Sequence, residues 1–136
     1  MKISLVKRDV YDRWMSSAEE MLRLAENDRI KSFYVWSYYK SRRAAEYALK
    51  GLLRGMGIYG CNEPYLLQLI TRAGKEGIEF SLKLKEYARN LDKYYISPEE
   101  GKYFESEDDQ FVEAETAEQA VSWAEEIVVF IKEICS

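Results

Sequence analysis

Residues 33–56, FYVWSYYKSRRAAEYALKGLLRGM, decide how this chain is read. Stepped at about 100° per residue, Tyr34, Tyr38, Ser41, Ala45, Ala48, Leu49, Leu52 and Met56 fall on one side of a helix. Trp36, Lys40, Arg43, Tyr47, Lys50 and Arg54 fall in a narrow band on nearly the opposite side. The stretch predicts an amphipathic helix with an apolar face and a basic, ring-bearing back.

Working outward, the same period recurs. A first helix is expected over about Val10–Asn27, with Trp14, Ala18, Met21, Leu22 and Ala25 on one face. Asn27-Asp28 then reads as a break, with Asp28 capping a second helix from Arg29 or Ile30 to Met56. Gly55, Gly57 and Gly60 read as its end. Asn62-Glu63-Pro64 reads as the start of a short third helix to Ala73, with Pro64 in the first turn. A fourth is expected over about Ser81–Ile96, ended by Ser97-Pro98. A last helix begins at Thr116, whose hydroxyl caps while Gln119 reaches back. No stretch alternates as a strand would. The fold class is therefore all-α: an antiparallel up-and-down helical bundle of four long helices plus one short one, in a single domain over residues 1–136.

The composition narrows the chemistry. The chain has 136 residues, a net charge of −4 and no histidine. Without histidine, every Ser-His or Cys-His mechanism within these residues is excluded, as is the usual near-neutral proton carrier. Charge is unevenly placed. Lys31, Lys40, Arg42, Arg43, Lys50 and Arg54 face a single anion, Glu46, in the central helix, whereas residues 99–126 are acidic with Lys102 the lone cation. Such asymmetry marks a binding face or two regions that neutralise one another. Cys61 and Cys135 have no metal-ligand spacing and read as buried thiols. No signal pattern opens the chain and no run approaches the roughly 18–20 apolar residues of a membrane span, so a cytoplasmic protein without membrane contact is the expectation.

The basic back offers the best candidate chemistry. Guanidinium and ammonium groups attract phosphate, and aromatic rings stack on bases. Lys40, Arg43, Lys50 and Arg54 are therefore the candidate contacts for phosphate or an acidic surface, and Tyr47 the candidate for stacking. The alternative is a solvated helix back, with Glu46 paired to Lys50 at four-residue spacing. Adjacent carboxylates such as Glu19-Glu20 do not face one another on a helix, and the cluster Glu105, Glu107, Asp108 and Asp109 lacks calcium-loop spacing. No phosphate-cradling glycine loop is present. No metal site, cofactor or catalytic residue is expected.

The order of the pieces resembles the HEPN domain family (higher eukaryotes and prokaryotes nucleotide-binding). Trp14 with Ala18, Phe33-Tyr34-Val35-Trp36, Ala44-Ala45-Glu46, Ala48-Leu49-Lys50 and Leu52-Leu53 carry the likeness. Leu91-Asp92-Lys93-Tyr94-Tyr95-Ile96, Thr116-Ala117, Ala120 and Ala124-Glu125-Glu126-Ile127 continue it over roughly residues 10 to 134. The resemblance implies a helical bundle that is commonly dimeric and often works with a small nucleotidyltransferase on a separate chain. Other members are ribonucleases that use an Arg followed a few residues later by His. This chain departs there: Ser97-Pro98-Glu99-Glu100 stands where the family's Arg-Tyr-Pro is expected, and Pro64 where many relatives open the third helix with His. No catalytic residue carries over. Three readings stay open. The leading one is a noncatalytic module, homodimeric, that binds a nucleotide, RNA or a nucleotidyltransferase partner. The others are a histidine-free ribonuclease and a structural, antitoxin-like dimer that binds protein alone.

Overall fold

Alanines, leucines and long straight-chain cations fill residues 34–55, and all of these favour the helix. In the computed structural model, which describes residues 1–93 and 112–136, they form the central helix of a bundle. The order is α1 (Arg8–Ile30), α2 (Tyr34–Gly55), α3 (Leu66–Lys75), α4 (Leu82–Asp92) and α5 (Ala114–Cys135), with no strand among the described residues. This is the all-α bundle that the periodicity predicts. None of the described helices is long and apolar enough to cross a membrane.

The predicted apolar stripe of α2 does form the core. Tyr38, Ala45, Ala48, Leu49 and Leu52 have no exposed surface, and α2 packs on all four other helices. Each leucine buried in this way contributes about 1.5–3 kcal/mol. α1 returns antiparallel along α2. A further line of small buried residues, Ser37, Ser41, Ala44, Ala48, Gly51 and Gly55, runs the length of α2. Its last two glycines meet the Cβ atoms of Trp14 and Tyr11 on α1. α5 runs antiparallel to α1, joined to it by Arg29–Glu118 and Lys132–Glu19. It is antiparallel to α4 as well, through Lys83–Glu126 and the stacked Tyr87 and Trp123.

Several expected boundaries move, each for a local reason. Asn27-Asp28 does not break α1. The helix continues to Ile30 and ends in a Schellman turn, with Phe33 N–H on Asp28 C=O (2.8 Å) and Ser32 N–H on Arg29 C=O (3.0 Å). Asp28 therefore closes α1 and does not cap α2, which starts at Tyr34. Gly55 does end α2, as its last helical residue. It is a helical residue in close contact with Tyr11 and Leu5, and Gly57 at φ +85° makes the turn. Pro64 precedes α3 and lies outside its first turn. That helix begins at Leu66 because the Asp92 carboxylate, from α4, accepts from the Leu66 and Leu67 N–H groups at 3.0 and 3.2 Å. Ser81 caps α4 through Oγ, 3.1 Å from Leu84 N. α5 starts at Ala114, two residues before the Thr116 cap predicted for it. Tyr94–Ile96, predicted to end α4, and most of the acidic segment lie outside the described residues.

Ser32 carries the one strained backbone of the α1–α2 turn, φ +68° in a residue with a Cβ. The left-handed conformation costs a non-glycine residue about 1–2 kcal/mol, part of which glycine returns through its freer unfolded chain. Ser32→Gly should therefore stabilise the protein by about 0.5–1 kcal/mol. The measurement is the urea midpoint, which should rise with the slope unchanged.

Candidate functional site

Four of the five candidate residues form one connected surface along α2. The Arg43 guanidinium lies 5.8 Å from the Tyr47 ring centroid. Tyr47 meets Trp14 of α1 edge to face, with centroids 5.5 Å apart. Arg54 stacks on Trp14 at 4.5 Å. The result is a column in the order cation, ring, ring, cation, in which the rings hold the guanidinium groups by cation–π attraction. Arg54 Nη1 is buried and has no hydrogen-bond partner among the described residues.

Lys50 joins the column through Glu46, with Nζ 2.8 Å from Oε2, the four-residue pair predicted from the spacing. Glu46 Oε1 also lies 3.2 Å from Arg42 Nη1 and 3.6 Å from Arg43 Nε. Burial pushes the Glu46 carboxyl up, but the Lys50 hydrogen bond and the charges of Lys50, Arg42 and Arg43 outweigh it and hold it below the usual glutamate value. Lys40 stands apart. Its Nζ is 2.7 Å from Asp28 Oδ2, which ties it across to the end of α1. Tyr47 is half-buried, with Trp14 at its edge and Arg43 near its ring. It serves as a platform for a cation more readily than as an open surface for a base.

Three residues escape the sequence reading of the site. Trp14 reads as first-helix core, yet it bridges Tyr47 and Arg54. Glu46 reads as a partner of Lys50 alone, yet three cations share it. Arg42, 2% exposed, is the largest charge in the interior. It binds Asp92 Oδ1 through Nε at 3.1 Å and donates to the Pro64 carbonyl. A signal for it does exist in the sequence: Arg42 falls at the edge of the apolar stripe, beside Tyr38 and Leu49 on the helical wheel, where a cation must find buried partners.

Other chemistry is sparse. Cys61 and Cys135 are free and buried. Burial pushes the Cys135 thiol up to about 11, which leaves it protonated and unreactive near neutral pH. Among the described residues no group of three or more Cys, Asp and Glu is placed to hold a metal ion. The cluster at Glu105–Asp109 lies outside them.

The described residues form an all-helical bundle around a buried central helix, with a basic back backed by rings. The chain belongs to the HEPN domain family, whose model matches residues 11–134. Solved structures agree. A Thermus thermophilus protein, 28% identical, superposes with a TM-score of 0.78 over 90% of this chain and 96% of its own. A Thermotoga maritima HEPN domain protein, 25% identical, gives 0.72 over 89% and 95%. An archaeal HEPN homologue, 22% identical, shares the fold with a TM-score of 0.75 over 90% and 95%. No protein of curated function matches significantly in sequence.

Proposed function

We propose that this chain is a noncatalytic HEPN module that binds a phosphate-bearing ligand, a nucleotide or RNA, along the back of α2. In this reading it works as a homodimer beside a small nucleotidyltransferase. The observation that carries the proposal is the column Arg43–Tyr47–Trp14–Arg54 with Lys50 alongside. From Arg43 to Arg54 a helix rises about 16 Å, enough to follow two or three phosphates of a single strand. The absence of histidine supports a binding role over a cutting one.

Arg43 is half-exposed, whereas Lys50 is largely buried beside its partner Glu46. Replacing both with alanine should weaken binding of a fluorescent oligo-uridylate about tenfold at fixed salt, with the variant still folded at the assay temperature because Arg42 remains on Glu46. Wild-type affinity in that variant would remove the site. RNA cleavage above a buffer control, with or without Mg²⁺, would remove the noncatalytic reading.

One observation favours a second reading, in which protein is the partner. Ile30, Phe33 and Trp36 at the α1–α2 turn are 66%, 53% and 62% exposed. Loss of partner binding in Phe33→Ser/Trp36→Ser, with RNA binding unchanged or never present, would favour it.

A further inference from the structure

We propose that Glu46 is a built-in competitor for the ligand: its carboxylate occupies Arg43 and Lys50 in the free protein, and a phosphate must displace it. This rests on the α2 back being the binding site. A carboxylate and a phosphate offer a guanidinium or ammonium group the same kind of anionic oxygen acceptor. Glu46 spends both oxygens in this way, Oε2 on Lys50 at 2.8 Å and Oε1 between Arg42 and Arg43 at 3.2 and 3.6 Å. The three cations are not equivalent. Arg42 is 2% exposed and also donates to Asp92 and the Pro64 carbonyl, so it stays in place when Glu46 is relieved. Arg43, half-exposed, and Lys50, on a flexible four-carbon stem, can turn outward.

The arrangement filters ligands by charge. A single carboxylate or a weakly charged group gains little by replacing an acid that is already seated. A run of phosphodiesters presents several anionic oxygens along the same line and outcompetes it. Glu46 thus raises the threshold for binding without touching the ligand, which makes it a specificity-determining residue.

The test measures oligo-uridylate affinity by fluorescence anisotropy for wild type, Glu46→Gln, Arg43→Ala/Lys50→Ala, and Glu133→Gln, which removes an equal charge from the exposed end of α5. Glu46→Gln should bind about fivefold tighter, a gain set by the modest worth of partly exposed ion pairs. Glu133→Gln should stay within about twofold, the level of a general charge effect. The gain should vanish when Arg43→Ala/Lys50→Ala is added to Glu46→Gln. If Glu46→Gln melts early, Glu46→Asp, which draws the carboxylate back by one methylene, should show a smaller gain in the same direction. Unchanged or weaker binding in the Glu46 variants would overturn the competitor and leave the site standing, provided Arg43→Ala/Lys50→Ala still loses affinity. An equal gain in Glu133→Gln, or a gain that persists without Arg43 and Lys50, would do the same. No binding by any form would overturn both the competitor and the site.

Discussion

Replacing Arg42 with methionine is expected to remove about 3–5 kcal/mol of folding stability, although the substitution keeps most of the side chain's volume. Arg42 joins three helices. From α2 it donates to Asp92 at the end of α4, to Glu46 one turn on, and to the Pro64 carbonyl just before α3. Asp92 in turn holds the first amides of α3. Methionine leaves the Asp92 carboxylate without its cation and the Pro64 carbonyl without its donor. A domain of this size has about 5–15 kcal/mol in all, so the loss is a large share of it.

The pH dependence identifies the mechanism. Burial raises the Asp92 carboxyl above the ordinary aspartate value, against the pull of the Leu66 amide and of Arg42. Without Arg42 it rises further. A carboxyl whose folded value lies above its unfolded value costs stability at every pH above the folded value. That cost fades as pH falls toward the unfolded value, about 3.9 for aspartate. The deficit of Arg42→Met relative to wild type should therefore shrink between pH 7 and pH 4. Glu46 works the other way, since its lowered value makes its contribution fade in acid. However, its Lys50 and Arg43 contacts survive in the variant, so most of that change cancels in the comparison. Adding Asp92→Asn should recover about 1–2 kcal/mol at pH 7. A deficit under about 1 kcal/mol that does not vary with pH would show that Arg42 is merely packed.

The same residues explain what the sequence could tell. Helical period is a one-dimensional property, and it located the core face of α2 through Tyr38, Ala45, Ala48, Leu49 and Leu52. It also located the Glu46–Lys50 pair, because partners four residues apart meet on any helix. What it could not supply was anything that arrives from another element. Trp14 reaches the basic back from α1, and Asp92 reaches Arg42 across 50 residues of chain. The start of α3 follows from that same Asp92, so the local Pro64 signal misplaced it by two residues. The sequence misplaces the α1–α2 turn for a different reason. Its left-handed position is filled by Ser32, where glycine would have advertised the turn, and the polar Asn27-Asp28 pair drew the boundary early.

Gly51→Val is expected to cost about 3 kcal/mol, the second largest effect, while Gly74→Ala is expected to stabilise by about 0.5–1 kcal/mol. Both glycines sit inside helices, and propensity alone would make both substitutions favourable or neutral. Space decides the sign. A Cβ on Gly51 would lie 2.7 Å from the Trp14 Cβ, an atom fixed to the α1 backbone that cannot rotate away. A Cβ on Gly74 meets nothing within 4 Å. Valine adds a Cβ and two methyl groups where α1 and α2 approach closely, so α1 must move outward, and it takes Trp14 away from Tyr47 and Arg54. The substitution therefore carries a functional signature as well as a thermal one. Trp14 fluorescence should change in Gly51→Val under conditions where the variant is still folded, and oligo-uridylate affinity should fall, because the ring that holds Arg54 has shifted. Gly74→Ala should change neither. If Gly51→Val proves neutral in stability and leaves the fluorescence unchanged, α1 and α2 are not in the close contact that brings Trp14 into the site, and the column of rings and cations along α2 loses its foundation.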